Sequence, residues 1–133
     1  MFQHQTLATM IFLFVIRTDL FMTQLMPQPP ALRLDHINLP ARKPDWLAEW
    51  YADQFGFTAK AGFVMGAGVL LVFEAGEPLD TRGKPHFGFR CDSREAVAQW
   101  AAKFDQGLED NALYCGFKAC DPEGNVFEIY WEN

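Results

Sequence analysis

Two patterns are missing from this sequence: the basic clusters of nucleic-acid-binding proteins and the cysteine spacing of zinc or redox motifs. Lysine and arginine number 11 against 17 aspartates and glutamates, so the formal net charge is −6 and we expect no nucleic-acid partner. The three cysteines, Cys91, Cys115 and Cys120, form no CxxC pair. We therefore expect free thiols in a reducing, cytoplasmic compartment, each serving as a small buried apolar residue.

A hydrophobic run long enough to span a bilayer is also missing. The apolar stretch of residues 8–16 falls short of the about 20 residues that a membrane-spanning helix needs. No lysine or arginine precedes it and no small-x-small cleavage site follows it. Residues 1–30 can be a peripheral helix, a poor targeting segment, or a translated upstream stretch with the true start at Met22 or Met26, which we favour. We predict a domain over residues 31–133, with residues 1–30 as an extension outside it, and no membrane partner.

The sequence does contain ample material for one hydrophobic core. Half of its residues are hydrophobic, including 13 phenylalanines and 4 tryptophans, so the chain can bury enough apolar surface to fold. A length of 133 residues indicates one domain. We therefore expect a folded domain and not an intrinsically disordered chain.

Two copies of one structural unit follow each other in the chain after residue 30. His36 and His86 lie 50 residues apart, and each belongs to an apolar, extended run. A segment with apolar residues on one helical face follows each run, which predicts helices over about residues 46–55 and 96–104. The equal offset of histidine and helix indicates a repeat.

The remainder of each copy reads as strands. Asp45 and Ser93 stand where helix-start residues are expected. After each helix come strand-like runs broken by glycine, and the last run of each copy contains Val-Phe-Glu, ending at Glu74 and at Glu128. The segment Asp-Pro-Glu-Gly-Asn at residues 121–125 predicts a turn before the final strand. The predicted order is therefore strand, helix and three strands, twice.

Alternation of side chains along strands places the candidate functional residues on one face of the predicted sheets. In the last strand Phe127, Ile129 and Trp131 form the apolar side, which we expect to pack on a helix. The strand of Glu74 is the most ambiguous, because both its faces are apolar. The residues expected on the concave face are His36, Asn38, Glu74, His86, Arg90, Glu128 and Tyr130.

Two histidines and two glutamates on one concave face suit a divalent metal ion. Imidazole and carboxylate ligands together suit zinc, nickel, cobalt, iron or manganese. A cation would also compensate carboxylates that lie inside a sheet. A single histidine in a strand more often has a structural role, so the symmetric set is what favours His36, His86, Glu128 and Glu74 as ligands.

Three short motifs resemble those of a known superfamily. Asp-His-Ile-Asn-Leu at 35–39, Pro-His-Phe-Gly-Phe at 85–89 and Asp-Pro-Glu-Gly-Asn-Val-Phe-Glu at 121–128 resemble the first-, fifth- and last-strand motifs of the vicinal-oxygen-chelate superfamily, which includes glyoxalases, bleomycin-resistance proteins and extradiol dioxygenases. The resemblance covers about residues 32–132. It implies an α+β fold in which two βαβββ modules form a cupped mixed sheet around a metal.

The resemblance also implies roles for individual residues. His36, His86 and Glu128 match the three-ligand set of the superfamily's dioxygenases and fosfomycin-resistance enzymes, and Glu74 matches the fourth ligand of its glyoxalase I and epimerase members. The leading hypothesis is a metal-dependent lyase or isomerase, in which the metal polarises an oxygen pair of a small substrate and Glu74 or Glu128 moves a proton. Arg90, Tyr130 and Asn38 are candidate substrate contacts.

Two other functions remain open at this point. One is a non-haem Fe(II) dioxygenase that uses three protein ligands and leaves metal positions for oxygen. The other is a metal-free binder of small molecules, such as a bleomycin-resistance protein. In each case we expect a small-molecule partner and a homodimer. The sequence leaves open whether one chain closes its own site or two chains share it.

Overall fold

The computed structural model describes residues 29–80, 82 and 84–133, and residues Leu34–Asn133 form one compact unit within it. The interpretation of residues 1–30 as an extension falls almost wholly on residues 1–28, which lie outside the described residues. No helix in the described part of the chain is long and apolar enough to cross a membrane.

The predicted order of strand, helix and three strands, twice, is confirmed. We call residues 36–75 module 1 and residues 86–132 module 2. Module 1 consists of β1 (His36–Ala41), α1 (Pro44–Phe55), β2 (Thr58–Lys60), β3 (Phe63–Gly66) and β4 (Val69–Ala75). Module 2 consists of β5 (His86–Arg90), α2 (Arg94–Lys103), β6 (Glu109–Asp110), β7 (Tyr114–Cys120) and β8 (Val126–Glu132).

Each module forms one four-stranded mixed sheet. The strand orders are β1-β4-β3-β2 and β5-β8-β7-β6. In both, the first strand runs parallel to the last, while the remaining neighbours are antiparallel. A helix connects the first strand to the rest, as parallel neighbours require a long crossover. The fold is therefore a pair of βαβββ modules.

Side chains alternate between a buried and a concave face as the sequence predicts. In β8, Phe127 and Ile129 are buried in the core of module 2, and Trp131 packs against that core. In β4, Leu71 and Phe73 are buried, which puts Glu74 on the opposite, exposed face. The ambiguity over the strand of Glu74 is thereby removed, because its two apolar faces differ in burial.

The two helices begin in different ways. Ser93 is the N-cap of α2, and its hydroxyl accepts a hydrogen bond from the backbone N–H of Ala96. In α1 the N-cap is Lys43, whose side chain makes no capping bond, and Pro44 opens the helix. Asp45 therefore lies inside the first turn, where its charge is favourable but where it is not the cap.

The modules are joined by an aromatic layer and a buried polar network. The ring of Phe55 in α1 lies 5.5 Å from that of Phe127 and 5.2 Å from that of Trp100. The Tyr51 hydroxyl donates to Asp121 Oδ2 at 2.9 Å, and Asn125 Nδ2 donates to the same oxygen at 2.8 Å. Burial and the neighbouring Asp121 raise the pKa of Tyr51, so its hydroxyl stays a donor.

The turn that carries Asp121 also follows the sequence prediction. The N–H of Gly124 donates to the carbonyl of Asp121, and Gly124 has a φ of 90°, a conformation that favours glycine.

The cysteine prediction is only partly right. All three are free and Cys115 is buried, but Cys120 is exposed because it ends β7 on the face away from the core.

Candidate metal centre in module 2

The imidazole of His86 and the carboxylate of Glu128 meet on the concave face of module 2. They lie on the parallel strands β5 and β8, where Glu128 pairs in register with Gly88. His86 Nε2 is 3.3 Å from Glu128 Oε2, and both side chains are mostly buried, at 29% and 18% exposure. We refer to these two residues as the His86–Glu128 pair.

The tautomer of His86 follows from its second contact. His86 Nδ1 lies 2.9 Å from the carbonyl oxygen of Lys84, which can only accept a hydrogen bond, so Nδ1 carries the proton. The other ring nitrogen, Nε2, faces Glu128 Oε2. An imidazole fixed through one nitrogen with the other free is the arrangement that metal-binding histidines show.

A third residue, Tyr114, completes this cluster and was not identified from the sequence. Its hydroxyl donates to Glu128 Oε1 at 2.6 Å. Burial, followed by the hydrogen bond and charge of Glu128, raises the pKa of Tyr114 above its ordinary value, so the phenol is protonated. Its backbone pairs with Glu132 rather than with Glu128. The contact between Tyr114 and Glu128 therefore depends on the course of the ring, which strand alternation does not predict.

Two glycines make room for the cluster. A Cβ placed on Gly116 would overlap the Tyr114 hydroxyl, so the ring lies directly over this residue. A Cβ on Gly88 would lie 3.1 Å from the Tyr130 ring and 3.7 Å from Glu128 Oε2. Glycine at these strand positions marks a close approach of neighbouring groups.

The other candidates of module 2 lie at the edge of this cluster. The Tyr130 ring is nearly parallel to that of Tyr114, with centroids 6.4 Å apart. Arg90 donates from one nitrogen to the backbone carbonyl of Glu132 at 2.8 Å and lies 3.3 Å from its carboxylate through another. Tyr130 thus borders the cluster, whereas Arg90 is held at the end of β8.

Module 1 brings fewer groups together. His36 is exposed, and its Nδ1 pairs with the neighbouring Asp35 carboxylate at 2.8 Å. Asn38 is exposed on the same face of β1. In the parallel pair β1–β4, Asn38 stands opposite Val72, and Glu74 stands opposite Pro40, two positions further on. The structure therefore places Val72, not Glu74, at the register position that Glu128 occupies in module 2.

Comparison with known proteins identifies the family. The profile of the Glyoxalase/Bleomycin resistance protein/Dioxygenase superfamily matches residues 33–129. The chain belongs to this superfamily. No curated protein is a significant match to the sequence. The motifs at the starts of β1 and β5 and around β8 thus indicated the family correctly.

Solved structures of the superfamily show the same fold. Lactoylglutathione lyase from Agrobacterium tumefaciens has 21% identity and a TM-score of 0.59, covering 77% of this chain and 95% of its own. The fosfomycin resistance protein FosX from Listeria monocytogenes has 16% identity and a TM-score of 0.67, covering 78% and 96%. Oxidase ChaP-H1 has 18% identity and a TM-score of 0.56, covering 77% and 98%. At these identities the similarity establishes the fold and leaves the reaction open.

Members of this superfamily share a fold that can hold a metal. The His86–Glu128 pair fits one, because an imidazole nitrogen and a carboxylate oxygen converge, and each side chain is oriented by a further hydrogen bond. Within the described residues, however, no three histidine, cysteine, aspartate or glutamate side chains of one chain form a metal-binding group. One chain therefore offers two ligands on module 2.

A polar cleft borders the cluster. Its volume is about 570 Å³, which is in the range of small-molecule sites. Lys118 in β7 stands directly opposite Glu128 in the antiparallel register, and both residues line the cleft. Sequence reasoning missed Lys118 because its proximity to Glu128 depends on the β7–β8 register. The polar residues lining the cleft are Glu109, Asn111, Tyr114, Lys118 and Glu128.

Proposed function

We propose that the protein is a metal-dependent enzyme of the glyoxalase-like lyase or isomerase kind, acting on a small molecule with two neighbouring oxygen atoms. The observation that carries this proposal is the His86–Glu128 pair, whose facing nitrogen and oxygen are 3.3 Å apart beside a cleft of about 570 Å³. Superfamily membership supports it, because the fold is shared with a lactoylglutathione lyase.

The proposed ligand set is His36, His86 and Glu128, with Glu74 as the candidate fourth ligand and a zinc, nickel, cobalt, manganese or iron ion. His36 has no metal-binding partners within its own chain among the described residues, yet it is exposed on the concave face of β1. We therefore infer a homodimer in which His36 of one copy meets the His86–Glu128 pair of the other. Such a shared site gives each dimer two equivalent centres.

The side chains have distinct chemical tasks in this proposal. When bound, the metal supplies a Lewis acid for the substrate's oxygen pair. Glu74 or Glu128 accepts and returns the proton that moves on the substrate, while Tyr114 holds the Glu128 carboxylate through Oε1. Lys118 contacts an oxygen-rich or anionic part of the substrate in the cleft. Tyr130 borders the substrate, and Asn38, Arg90 and Glu74 stay candidates for substrate contact or proton transfer.

One observation favours a second candidate function, a non-haem Fe(II) dioxygenase. Val72 occupies the register position in module 1 that matches Glu128 in module 2, so a fourth carboxylate is not placed symmetrically. Three protein ligands with open metal positions are what oxygen chemistry requires. Glu74 distinguishes the two functions, since a lyase or isomerase of the glyoxalase I type uses a fourth carboxylate ligand.

Metal content tests the proposal. We expect protein purified without chelator to hold a divalent metal, or to bind added Zn²⁺, Ni²⁺, Mn²⁺ or Fe²⁺ with a rise in melting temperature. His36→Ala and His86→Ala should each reduce bound metal strongly. Full-length protein that binds none of these ions would contradict both enzyme functions and favour a metal-free small-molecule binder.

Mixing two inactive variants tests the shared site. His36→Ala and Glu128→Gln each damage every site of their own homodimers. In a mixed dimer, His36 from the Glu128→Gln copy meets the intact His86–Glu128 pair of the other copy, which restores one complete site. We expect a mixture refolded together to regain one of the two centres in each mixed dimer, measured as bound metal. No recovery, with mixed dimers verified by mass, would show that each chain closes its own site.

A further inference from the structure

We propose that Tyr114 is a positioning residue for Glu128: its hydroxyl occupies Oε1 and leaves Oε2 alone, beside His86 Nε2, to face the metal. The inference rests on the proposed metal function and adds a residue to it. Its basis is the pair of contacts made by the one carboxylate, 2.6 Å from Oε1 to the Tyr114 hydroxyl and 3.3 Å from Oε2 to His86 Nε2.

The two oxygens of Glu128 are thus assigned to different partners. A carboxylate that accepts a hydrogen bond on one oxygen is restricted in orientation and is disfavoured as a bidentate ligand, because the phenol and the metal would compete for the lone pairs of that oxygen. Hydrogen-bonded partners of this kind orient metal ligands and set their basicity. A carboxylate bound through one oxygen leaves a coordination position free, which a substrate with two oxygens needs.

The Tyr114 side chain reaches Glu128 by lying along β7, so the structure of this strand determines the contact between them. The Tyr114 backbone stands opposite Glu132, and Gly116 stands opposite Tyr130. To reach Glu128, the ring runs along β7 across Gly116, where any Cβ would overlap the phenol. The ring of Tyr130 then lies nearly parallel to it, at 18° and 6.4 Å between centroids. Neighbouring residues thus define the position of the hydroxyl on both sides.

Tyr114 and Lys118 both line the cleft, but the contact that Tyr114 makes does not depend on a bound molecule. Lys118 is exposed in this cleft, where its ammonium group is free to meet a bound molecule. Tyr114 instead is committed to Glu128 before any substrate arrives. Its role is therefore to hold a ligand in place, and it acts on the substrate only through Glu128.

Two substitutions remove the same contact by different means. Tyr114→Phe deletes the hydroxyl and keeps the ring. Gly116→Ala keeps the hydroxyl and displaces the ring, because the new methyl group would occupy its position. Matched controls are Leu113→Ala, which shortens the exposed side chain next to Tyr114, and Gly107→Ala, whose Cβ meets no atom within 4 Å.

The readout is Co²⁺ bound to the full chain in its native assembly, followed by its visible absorption and by its dissociation constant. We expect Tyr114→Phe and Gly116→Ala each to weaken Co²⁺ binding by about 10-fold, the lower end for a lost outer partner of a ligand. Both should also shift the absorption bands in the same sense and lower their intensity, as Glu128 gains a second bond to the ion. Both controls should retain the spectrum of the unmodified protein.

The possible outcomes separate this inference from the metal proposal. Unchanged affinity and spectrum in both variants, with normal folding, would overturn the positioning role of Tyr114 while leaving the metal function intact. If the unmodified protein binds no Co²⁺, the proposed function and this role toward a metal both fail. The hydrogen bond itself is then read separately as a downfield hydroxyl proton resonance, which should be lost in Tyr114→Phe and shifted in Gly116→Ala but present in both controls.

Discussion

Where module 2 holds the carboxylate of Glu128, module 1 holds the isopropyl group of Val72. The two positions are equivalent, because each lies opposite the next concave residue after the strand histidine, Asn38 in module 1 and Gly88 in module 2. The neighbouring strand repeats the contrast, since Lys118 pairs with Glu128 in module 2 and Phe63 pairs with Val72 in module 1. The same topology thus carries a polar cluster in one copy and an apolar wall in the other.

This contrast teaches that the repeat specifies the backbone and leaves the concave faces free to differ. The buried faces of β4 and β8 keep apolar residues in equivalent positions, Leu71 with Phe127 and Phe73 with Ile129, because both must cover a helix. No such constraint acts on the concave faces. Module 1 can therefore serve as an apolar wall that contributes His36, while module 2 carries most of the chemistry.

The largest expected effect concerns the cores of the two modules. Phe127 is fully buried, and its ring lies 5.5 Å from that of Phe55 and 6.4 Å from that of Trp50, both in module 1. Leu71 is equally buried but belongs to the module 1 core. We expect Phe127→Ala to lower the free energy of unfolding by about 4 kcal/mol and Leu71→Ala by about 3 kcal/mol.

Urea unfolding followed by fluorescence and circular dichroism measures both losses. Because Phe127 packs on both modules, we expect each variant to retain one transition with coincident probes. Two separated transitions in Phe127→Ala alone would show that the modules fold independently, and the common aromatic layer would then not be what joins them.

The next prediction compares the two Val-Phe-Glu glutamates. We expect Glu128→Gln to weaken metal binding by on the order of 100-fold, the upper end of the loss caused by removing even an outer partner. Glu74→Gln should have a much smaller effect, because Glu74 stands two register positions beyond the equivalent of Glu128. Side-by-side metal titration of the two variants decides the matter. An equal loss in both would support four ligands and the glyoxalase I type of site.

The Glu74 case shows how far sequence reasoning reaches. The 50-residue offset and strand alternation predicted His36 and His86 on first strands, and Phe127 and Ile129 on a buried face, because these patterns are local. Matching Glu74 with Glu128 required the pairing of β1 with β4, which depends on loop lengths between strands. The shared Val-Phe-Glu segment suggested an equivalence that the register shifts by two residues.

Contacts between distant strands were equally beyond the sequence. Tyr114 reaches Glu128 only because its ring crosses Gly116, and a glycine in a strand gives no direction for such a contact. The shortest strands, β2 with 3 residues and β6 with 2, carry too few side chains for a period to be visible. The helices, in contrast, were predicted within two residues at their starts, since their apolar stripes extend over several turns.

The smallest expected effect concerns how each helix begins. In module 2 the cap is local, since Ser93 accepts from the Ala96 N–H at 3.2 Å. In module 1 no side chain caps α1; instead the Glu123 carboxylate of module 2 accepts from the N–H groups of Arg42 and Lys43, just before the first turn, both at 2.8 Å. The Glu123 carboxylate also lies near the N-terminus of α1, the positive end of the helix dipole.

Replacing each group separates the two arrangements. We expect Ser93→Ala and Glu123→Ala each to lower the free energy of unfolding by about 1 kcal/mol, the typical value for a lost cap. The loss in Ser93→Ala should be nearly independent of salt, whereas the loss in Glu123→Ala should shrink as salt rises, because an interaction of a charge is screened. Urea unfolding at low and high salt measures both, and Glu123→Gln provides a control that keeps one acceptor oxygen and removes the charge. If Glu123→Ala costs nothing at low salt, the carboxylate of module 2 does not stabilise the start of α1, and the joint between the modules rests on the aromatic layer and the Tyr51–Asp121 network alone.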